Sequence, residues 1–147
     1  MNPGNELPEA IAPLHPEMED SIRRRMEEIP IFRTLGFRDV RLGRGFFEST
    51  VPRSRQYDGI FKCFHGGLLM TLADSAAAIA ILTVCGPRSR IATTDMNIRF
   101  LAPAYSEVKV RARTIKVGRT LVPVTATLCD SKDELIAVAQ VSYIRLD

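Results

Sequence analysis

The sequence lacks tryptophan and has only two histidines and three cysteines in 147 residues. The cysteines, Cys63, Cys85 and Cys129, are odd in number and show neither a CxxC motif nor the Cys/His spacing of a zinc site. This argues against a disulfide framework and against a metal centre. We therefore expect no metal, no cofactor and a reducing, cytoplasmic location.

A strong net charge is also missing: the sequence has 20 Lys and Arg residues and 17 Asp and Glu residues, a net charge of +3. No basic stripe is interleaved with aromatic residues, so we expect no nucleic-acid partner. The N-terminus has neither a basic nor an apolar segment of the kind that opens a secretory signal. The one long apolar run, residues 68–85, is interrupted by Asp74 and Ser75, so we expect no membrane span.

What is present fits one globular domain, with 46% hydrophobic and 25% charged residues. Four prolines within residues 1–16 exclude a regular helix or a central strand, and they predict an extended N-terminal arm. Residues 17–147 are long enough to bury a single core, and we expect them to form one domain.

The first half of this domain predicts a helix, a hairpin and a second, longer helix. Residues 16–30 carry apolar side chains three or four positions apart, which predicts a short amphipathic helix. A Gly-Arg-Gly turn separates two extended runs, residues 37–42 and 46–51, and favours a hairpin. After a loop over residues 52–64, an apolar helix is expected from Gly66 or Gly67 to about Thr83.

The second half predicts about four strands in a meander. In the first of them Met96, Ile98 and Phe100 alternate with polar residues, the pattern of a half-buried strand. An antiparallel sheet must bury one face, and the long helix is the only apolar element available to cover it. The predicted fold class is therefore α+β: a curved antiparallel sheet of five to six strands wrapped around one long central helix, with a short N-terminal helix.

Asp74 is the unusual residue of the long helix. An ionised carboxylate in apolar surroundings is costly unless it is paired, hydrogen-bonded or close to water. No cation stands three or four positions away from it. An aspartate bonded to a nearby backbone or hydroxyl group, or one placed where the helix surfaces, would satisfy this requirement without any catalytic role.

The start of this helix, His65-Gly66-Gly67, favours a functional role for Asp74. A helix N-terminus presents free N–H groups and a partial positive charge, and it can stabilise an oxyanion. Asp74 lies about 10 Å further along by helix rise, with its side chain tilted back toward the N-terminus. A substrate along this groove would meet both groups, which together suit acyl transfer.

The segments HGGLLMTLADSA and TTDMNIRFLAPA resemble the PaaI-like group of hotdog-fold acyl-CoA thioesterases. In that group an HGG motif is followed, nine residues after the histidine, by an acidic residue in a helix, and then by a strand reading T/S-x-D-x-N. The resemblance implies a hotdog thioesterase domain over residues 17–147. It also implies an acyl-CoA substrate, and a homodimer or homotetramer with active sites at subunit interfaces.

Carried over by position, the resemblance implies that Asp74 is the general base or nucleophile and that the Gly66 N–H polarises the thioester carbonyl. His65 matches the motif histidine, which anchors the helix start more often than it moves protons. Thr93 falls on a hydroxyl position that in some members orients the attacking water from the partner subunit. Asn97 falls in the same strand motif, where a structural role is the alternative to substrate binding.

The sequence departs from the family pattern at two positions. Many members place Asn or Gln six residues before the motif histidine, where its amide helps to position the substrate or the attacking water. This chain has Gly59 at that position. Gln56, nine residues before it, is the candidate replacement, with Asp58 as an alternative. Ala78 stands where some relatives have a hydroxyl. These departures keep open a non-catalytic acyl-CoA or acyl-carrier binding protein, and a hotdog dehydratase is a weaker third possibility.

Substrate contacts are expected from loop aromatics, from the helix start and from the strand that follows the helix. The aromatic residues could line an acyl pocket or be ordinary core residues. The cationic side chain of Arg99 could contact the coenzyme A phosphates or simply be a solvated strand residue. The expected set is Gly67, Tyr57, Phe61, Phe64, Asn97 and Arg99.

Overall fold

The computed structural model describes residues 11–147, so most of the predicted arm, residues 1–16, lies outside the described residues. The part of the arm that is described crosses the first hairpin, where the Ala12 carbonyl accepts a hydrogen bond from Arg44 N–H (2.8 Å). Ile11 lies so close to Gly43 that a side chain at that position would collide with it. Residues 11 and 12 therefore lie directly against the turn of this hairpin.

The described chain contains three α-helices and six β-strands. The helices are α1 (Pro16–Glu27), α2 (Pro30–Leu35) and α3 (Gly66–Cys85). The strands are β1 (Arg38–Gly43), β2 (Phe46–Val51), β3 (Ile91–Phe100), β4 (Val108–Thr114), β5 (Leu121–Cys129) and β6 (Leu135–Arg145). They form one antiparallel sheet in the order β1-β2-β4-β5-β6-β3. The predicted α+β architecture is confirmed.

The core lies between α3 and one face of the sheet. Ala73, Ala76, Ala77 and Ala80 are fully buried on α3, and their small side chains let the strands approach the helix closely. A buried isoleucine such as Ile79 contributes about 1.5–3 kcal/mol relative to an exposed one. By length and composition α3 could cross a membrane, but 56% of its most apolar window is buried within the protein. Enclosure by the sheet accounts for its apolar sequence.

The helix α2 is not predicted from the sequence, which predicts one helix over residues 16–30 and then a hairpin from residue 37. Proline is well suited to the first position of a helix, where no internal acceptor awaits its missing N–H. Pro30 therefore begins α2, which ends at Gly36 in the left-handed region (φ 74°). The helix packs Phe32 against Phe37, with ring centroids 4.7 Å apart.

The two edges of the sheet differ. The outer strand β1 is short and irregular, with a register shift between Arg38 and Arg41 and a positive φ at Asp39, features that discourage pairing with another strand. The opposite edge strand, β3, has ten residues. It pairs with β6 on one side and with no other strand of residues 11–147. This long edge has the length needed to pair with a further strand.

The outer face of the sheet carries a row of charges across three strands. Glu48 on β2 accepts hydrogen bonds from Arg41 on β1 (3.1 Å) and from Arg111 on β4. Burial opposes ionisation of Glu48, but the hydrogen bonds and charges of both arginines outweigh it and hold the pKa of this carboxyl below its ordinary value. The row therefore fixes the register of β1, β2 and β4 on the side away from α3.

Candidate active site

The start of α3 is built by His65 as its N-cap. The His65 Nδ1 atom accepts a hydrogen bond from Gly67 N–H (2.9 Å), while Leu68 and Leu69 N–H donate to the His65 carbonyl (both 3.0 Å). A Cβ atom at residue 67 would lie 3.1 Å from the imidazole ring, so glycine leaves room for this cap. His65 thus anchors the helix start through its Nδ1 atom.

The Gly66 N–H is a backbone hydrogen-bond donor at the helix start that the His65 cap does not use. As the first residue of α3 it has no helical acceptor, and it donates to no group within residues 11–147. The Phe100 ring covers its side, about 3.5 Å from the place a Cβ atom would take. Beside them lies a cavity of about 370 Å³ whose apolar lining includes Phe64 and Leu69. A free amide thus meets an apolar cavity at the positive end of α3.

Asp74 is held by two hydroxyl groups. Thr93 Oγ1 on β3 donates to Asp74 Oδ1 (2.8 Å), and the Tyr143 hydroxyl on β6 lies 2.7 Å from the same oxygen and 2.8 Å from the Asp74 carbonyl. The carboxylate is half-buried. Its other oxygen, Oδ2, accepts no hydrogen bond from residues 11–147. Oδ2 is also not one of the fully buried side-chain atoms that lack a hydrogen-bond partner. Oδ2 is therefore the oxygen open to a ligand.

A β-bulge in β3 brings Thr93 to this position. The pairing with β6 passes from Thr93 opposite Tyr143 to Asp95 opposite Ser142, which leaves Thr94 as the extra residue. Met96 faces the helix side, so simple alternation would turn Thr93 outward. The bulge reverses this and points Thr93 inward, beside Tyr143.

The loop before α3 places Gln56 in the same region. Gln56 and Tyr57 line a groove of about 350 Å³ together with His65 and Gly67, and they also border a smaller cavity of about 160 Å³. The structure therefore brings Gln56 to the helix start, although its side chain makes no hydrogen bond to residues 11–147.

Asp58, the alternative candidate, lines the same groove but is paired with Arg53. Arg53 holds the Asp58 carboxylate with two hydrogen bonds (2.6 and 3.1 Å) and also donates to the carbonyls of Lys62 and Tyr105. These hydrogen bonds, together with the charge of Arg53, hold the pKa of the Asp58 carboxyl below its ordinary value. At the groove, the Asp58 carboxylate is thus paired with Arg53, whereas the Gln56 amide makes no hydrogen bond to residues 11–147.

Three of the residues expected to contact substrate lie away from both the Gly66 N–H and the Asp74 carboxylate. Phe61 is 81% exposed on the turn between Gly59 and Lys62 and lines none of the cavities around α3. Asn97 and Arg99 pair with Gln140 and Val138 and face the outer side of the sheet, where Arg99 donates to Asn97 Oδ1 (3.0 Å). Within one chain, these three residues do not meet the α3 terminus or Asp74.

Sequence reasoning missed Tyr143 and Phe100 as parts of the site. Tyr143 lies 69 residues from Asp74 and stands in a strand whose alternation marks it as core. Phe100 was predicted as a core residue, yet it is half exposed beside Gly66. The available signal for Tyr143 was that a buried tyrosine needs a partner for its hydroxyl.

The arrangement can polarise a carbonyl at one end of α3 and supply a carboxylate two turns further on. Within residues 11–147 no group of three His, Cys, Asp or Glu side chains is placed to hold a metal ion. The groups that are present, an unpaired N–H and an oriented carboxylate, suit attack on an acyl carbon by an activated water or by the carboxylate itself.

A six-stranded antiparallel sheet wrapped around one long helix is the hotdog fold. The chain matches the thioesterase superfamily over residues 61–137, just over half of its length. It therefore belongs to this family of thioester hydrolases.

Sequence and structure comparisons agree with this assignment. A Saccharolobus solfataricus protein named "Putative esterase" is 27% identical over 128 residues, which cover 83% of this chain and 90% of that protein. The solved structure of a thioesterase family protein from Silicibacter pomeroyi is 27% identical, with a TM-score of 0.80 over 88% of this chain and 98% of that chain.

The E. coli PaaI protein, from the phenylacetic acid degradation operon, has the same fold. Its TM-score is 0.78 at 20% identity, over 88% of this chain and 96% of that chain. The PaaI-like hotdog resemblance drawn from the two sequence motifs is thus confirmed.

Proposed function

We propose that this protein is an acyl-CoA thioesterase that hydrolyses a thioester to a free acid and coenzyme A. The observation that supports this most directly is the orientation of Asp74 Oδ1 by Thr93 and Tyr143, which leaves Oδ2 open in a helix that begins with an unpaired Gly66 N–H. Hydrolysis of a thioester needs a hydrogen-bond donor to polarise the carbonyl oxygen and a base or nucleophile to attack the carbon. The Gly66 N–H and the Asp74 carboxylate match these two needs.

The two groups of a single chain are too far apart to act on one carbonyl. Eight residues of α-helix separate Gly66 from Asp74, a rise of about 12 Å and a rotation of about 80° beyond two full turns. The backward tilt of the Asp74 side chain shortens this gap only in part. We therefore propose that each site combines Asp74 of one subunit with Gly66 of the partner subunit.

The edge strand β3 offers a route to such a pair. On this strand Thr93 lies beside Asp74, while Phe100 lies beside Gly66. If two copies of β3 pair antiparallel about a point between Met96 and Asn97, the Phe100 end of one copy meets the Thr93 end of the other. Such a two-fold dimer would carry two equivalent sites and would also cover the exposed edge. Two dimers could assemble further into a homotetramer.

In the proposed reaction, the thioester oxygen accepts a hydrogen bond from the Gly66 N–H and Asp74 Oδ2 takes a proton from water. The resulting hydroxide attacks the acyl carbon, the C–S bond breaks, and the thiolate of coenzyme A leaves with a proton returned by Asp74. Alternatively an Asp74 oxygen attacks the acyl carbon and expels the coenzyme A thiolate to form an anhydride, which water then hydrolyses to the free acid and the Asp74 carboxylate. Tyr57, Phe64 and Gln56 border the cavities that would receive the acyl group.

A panel of acyl-CoA thioesters tests this proposal. We expect the purified protein to release free thiol from one or more aryl, short-chain or medium-chain substrates. Turnover should be lost in Asp74→Asn while binding of the acyl-CoA, measured by calorimetry, persists. Binding without turnover in the parent protein would instead support the non-catalytic acyl-CoA binder, and neither binding nor turnover would overturn both hypotheses.

A further inference from the structure

The Tyr143 hydroxyl is buried where the sheet meets α3 and contacts no group outside the Asp74 site among residues 11–147. The side chain is 4% exposed, and its oxygen lies 2.7 Å from Asp74 Oδ1. Tyr143 stands directly opposite Thr93 in the β3–β6 pairing, so both hydroxyls approach the carboxylate from neighbouring strands.

We propose that Tyr143 is a positioning residue that, together with Thr93, holds Oδ1 of Asp74 and thereby directs Oδ2 toward the reacting thioester. This inference rests on the proposed function of Asp74. Each of the two hydroxyls can donate one hydrogen bond. The Tyr143 hydroxyl lies 2.7 Å from Oδ1 and 2.8 Å from the Asp74 carbonyl oxygen, and its one proton can serve either acceptor. When it donates to Oδ1, the carboxylate cannot rotate to exchange its two oxygens without breaking two charge-assisted bonds.

The chemistry of the tyrosine suits a permanent donor. Burial is the main reason why the pKa of the Tyr143 hydroxyl lies far above its ordinary value, so the group keeps its proton at any physiological pH. A neighbouring lysine or arginine would pair with Asp74 and compete with its role as a base, whereas a hydroxyl orients the carboxylate and leaves its charge in place.

Among residues 11–147, no charged side chain of the surrounding elements forms a hydrogen bond or an ion pair with Asp74. The helix-facing residues of β2 (Phe47, Ser49 and Val51), β4 and β5 are apolar or hydroxylic, and α1 turns Ile22 and Met26 inward. The charged residues of β3, Asp95 and Arg99, face the outer side of the sheet. Among residues 11–147, Tyr143 is thus the titratable side chain in hydrogen-bond contact with Asp74.

The test is Tyr143→Phe, which keeps the buried ring and removes only the donor. We expect kcat to fall about tenfold with KM changed less than about twofold, since substrate contacts are unaltered. In the Asp74→Asn background the same change should have no further effect on turnover.

Tyr105→Phe is the matched control, because Tyr105 is exposed and lies outside the site. A purely structural role for Tyr143 would lower the melting temperature and leave kcat within about twofold of the parental value, and that result would overturn the inference. A second measurement does not depend on turnover: the ¹³C chemical shift of the Asp74 carboxyl carbon at neutral pH should change in Tyr143→Phe, which loses a hydrogen bond to Oδ1, and should stay at the parental value in Tyr105→Phe.

The two measurements separate the two proposals. If the protein hydrolyses no thioester but the carboxyl chemical shift of Asp74 changes in Tyr143→Phe, Tyr143 positions Asp74 and the thioesterase function fails. If turnover is present and neither kcat nor this chemical shift changes in Tyr143→Phe, the thioesterase function stands and the positioning role of Tyr143 fails.

Discussion

Asp74→Asn is expected to lower kcat/KM for acyl-CoA hydrolysis by about 10²–10⁴-fold, the range that a positioned acid–base group contributes. The amide keeps an oxygen that can accept the bonds of Thr93 and Tyr143, so the fold should be retained. It can neither take a proton from water nor attack the thioester. Thiol release from a reactive acyl-CoA, followed under single-turnover conditions, is the measurement.

Asp95→Asn provides the control for this change. Asp95 carries the same charge on the same edge strand but faces the outer side of the sheet, opposite Ser142. Its replacement should leave kcat/KM within about twofold of the parent, as expected for a surface substitution away from the site. Equal losses in the two variants would show that charge or dimer geometry, and not the Asp74 carboxylate, is what matters.

Gly66→Pro is the second change for which we expect a large effect. Proline removes the backbone N–H, and the first position of a helix tolerates it because that N–H has no helical acceptor. The preceding residue, His65, already has the extended conformation that a following proline requires (φ −61°, ψ 129°). The helix should therefore form, while kcat falls about 10²–10³-fold through the loss of one oxyanion donor.

Gly66→Ala isolates the effect of the N–H from that of added bulk. Alanine keeps the donor, and its Cβ atom would lie 3.5 Å from the Phe100 ring, an ordinary contact distance. We expect this variant to keep most of its kcat, with any change confined to KM. Comparable losses of kcat in the alanine and proline variants would contradict the assignment of the Gly66 amide as the oxyanion donor.

Most of the fold could be predicted because it follows from patterns of side chains along the chain. Alternation placed Met96 and Ile98 on the helix side of β3, and the apolar run after Gly67 has one physical solution, a helix enclosed by a sheet. The short helix α2 was missed because a proline can mark the end of one helix or the start of another; here α1 ends at Glu27 and Pro30 begins α2. A proline alone does not tell the two cases apart.

The candidate site was only partly predictable. The cap formed by His65 and the position of Asp74 are local to one helix, so spacing was sufficient to find them. The contact between Thr93 and Asp74 depends on the bulge at Thr94, which the alternation of β3 does not show. Tyr143 lies 69 residues from Asp74 in the sequence and reaches the site because β6 pairs with β3. A local sequence pattern does not predict such a contact.

The outward placement of Asn97 and Arg99 could have been anticipated. Both residues alternate with Met96 and Ile98, so the pattern that predicted β3 also put them on the face opposite α3. Phe61 shows a different limit. An aromatic residue beside a glycine-rich motif suggests a pocket, but the turn between Gly59 and Lys62 directs its ring into solvent.

Mixed dimers of two inactive variants test the shared site most directly. A dimer of one Asp74→Asn subunit and one Gly66→Pro subunit should contain one intact site, which combines Gly66 of the first subunit with Asp74 of the second. When the two variants are co-expressed in equal amounts, random pairing should restore about a quarter of the parental thioesterase activity. Activity no higher than the sum of the two separate variants would contradict a site shared between subunits.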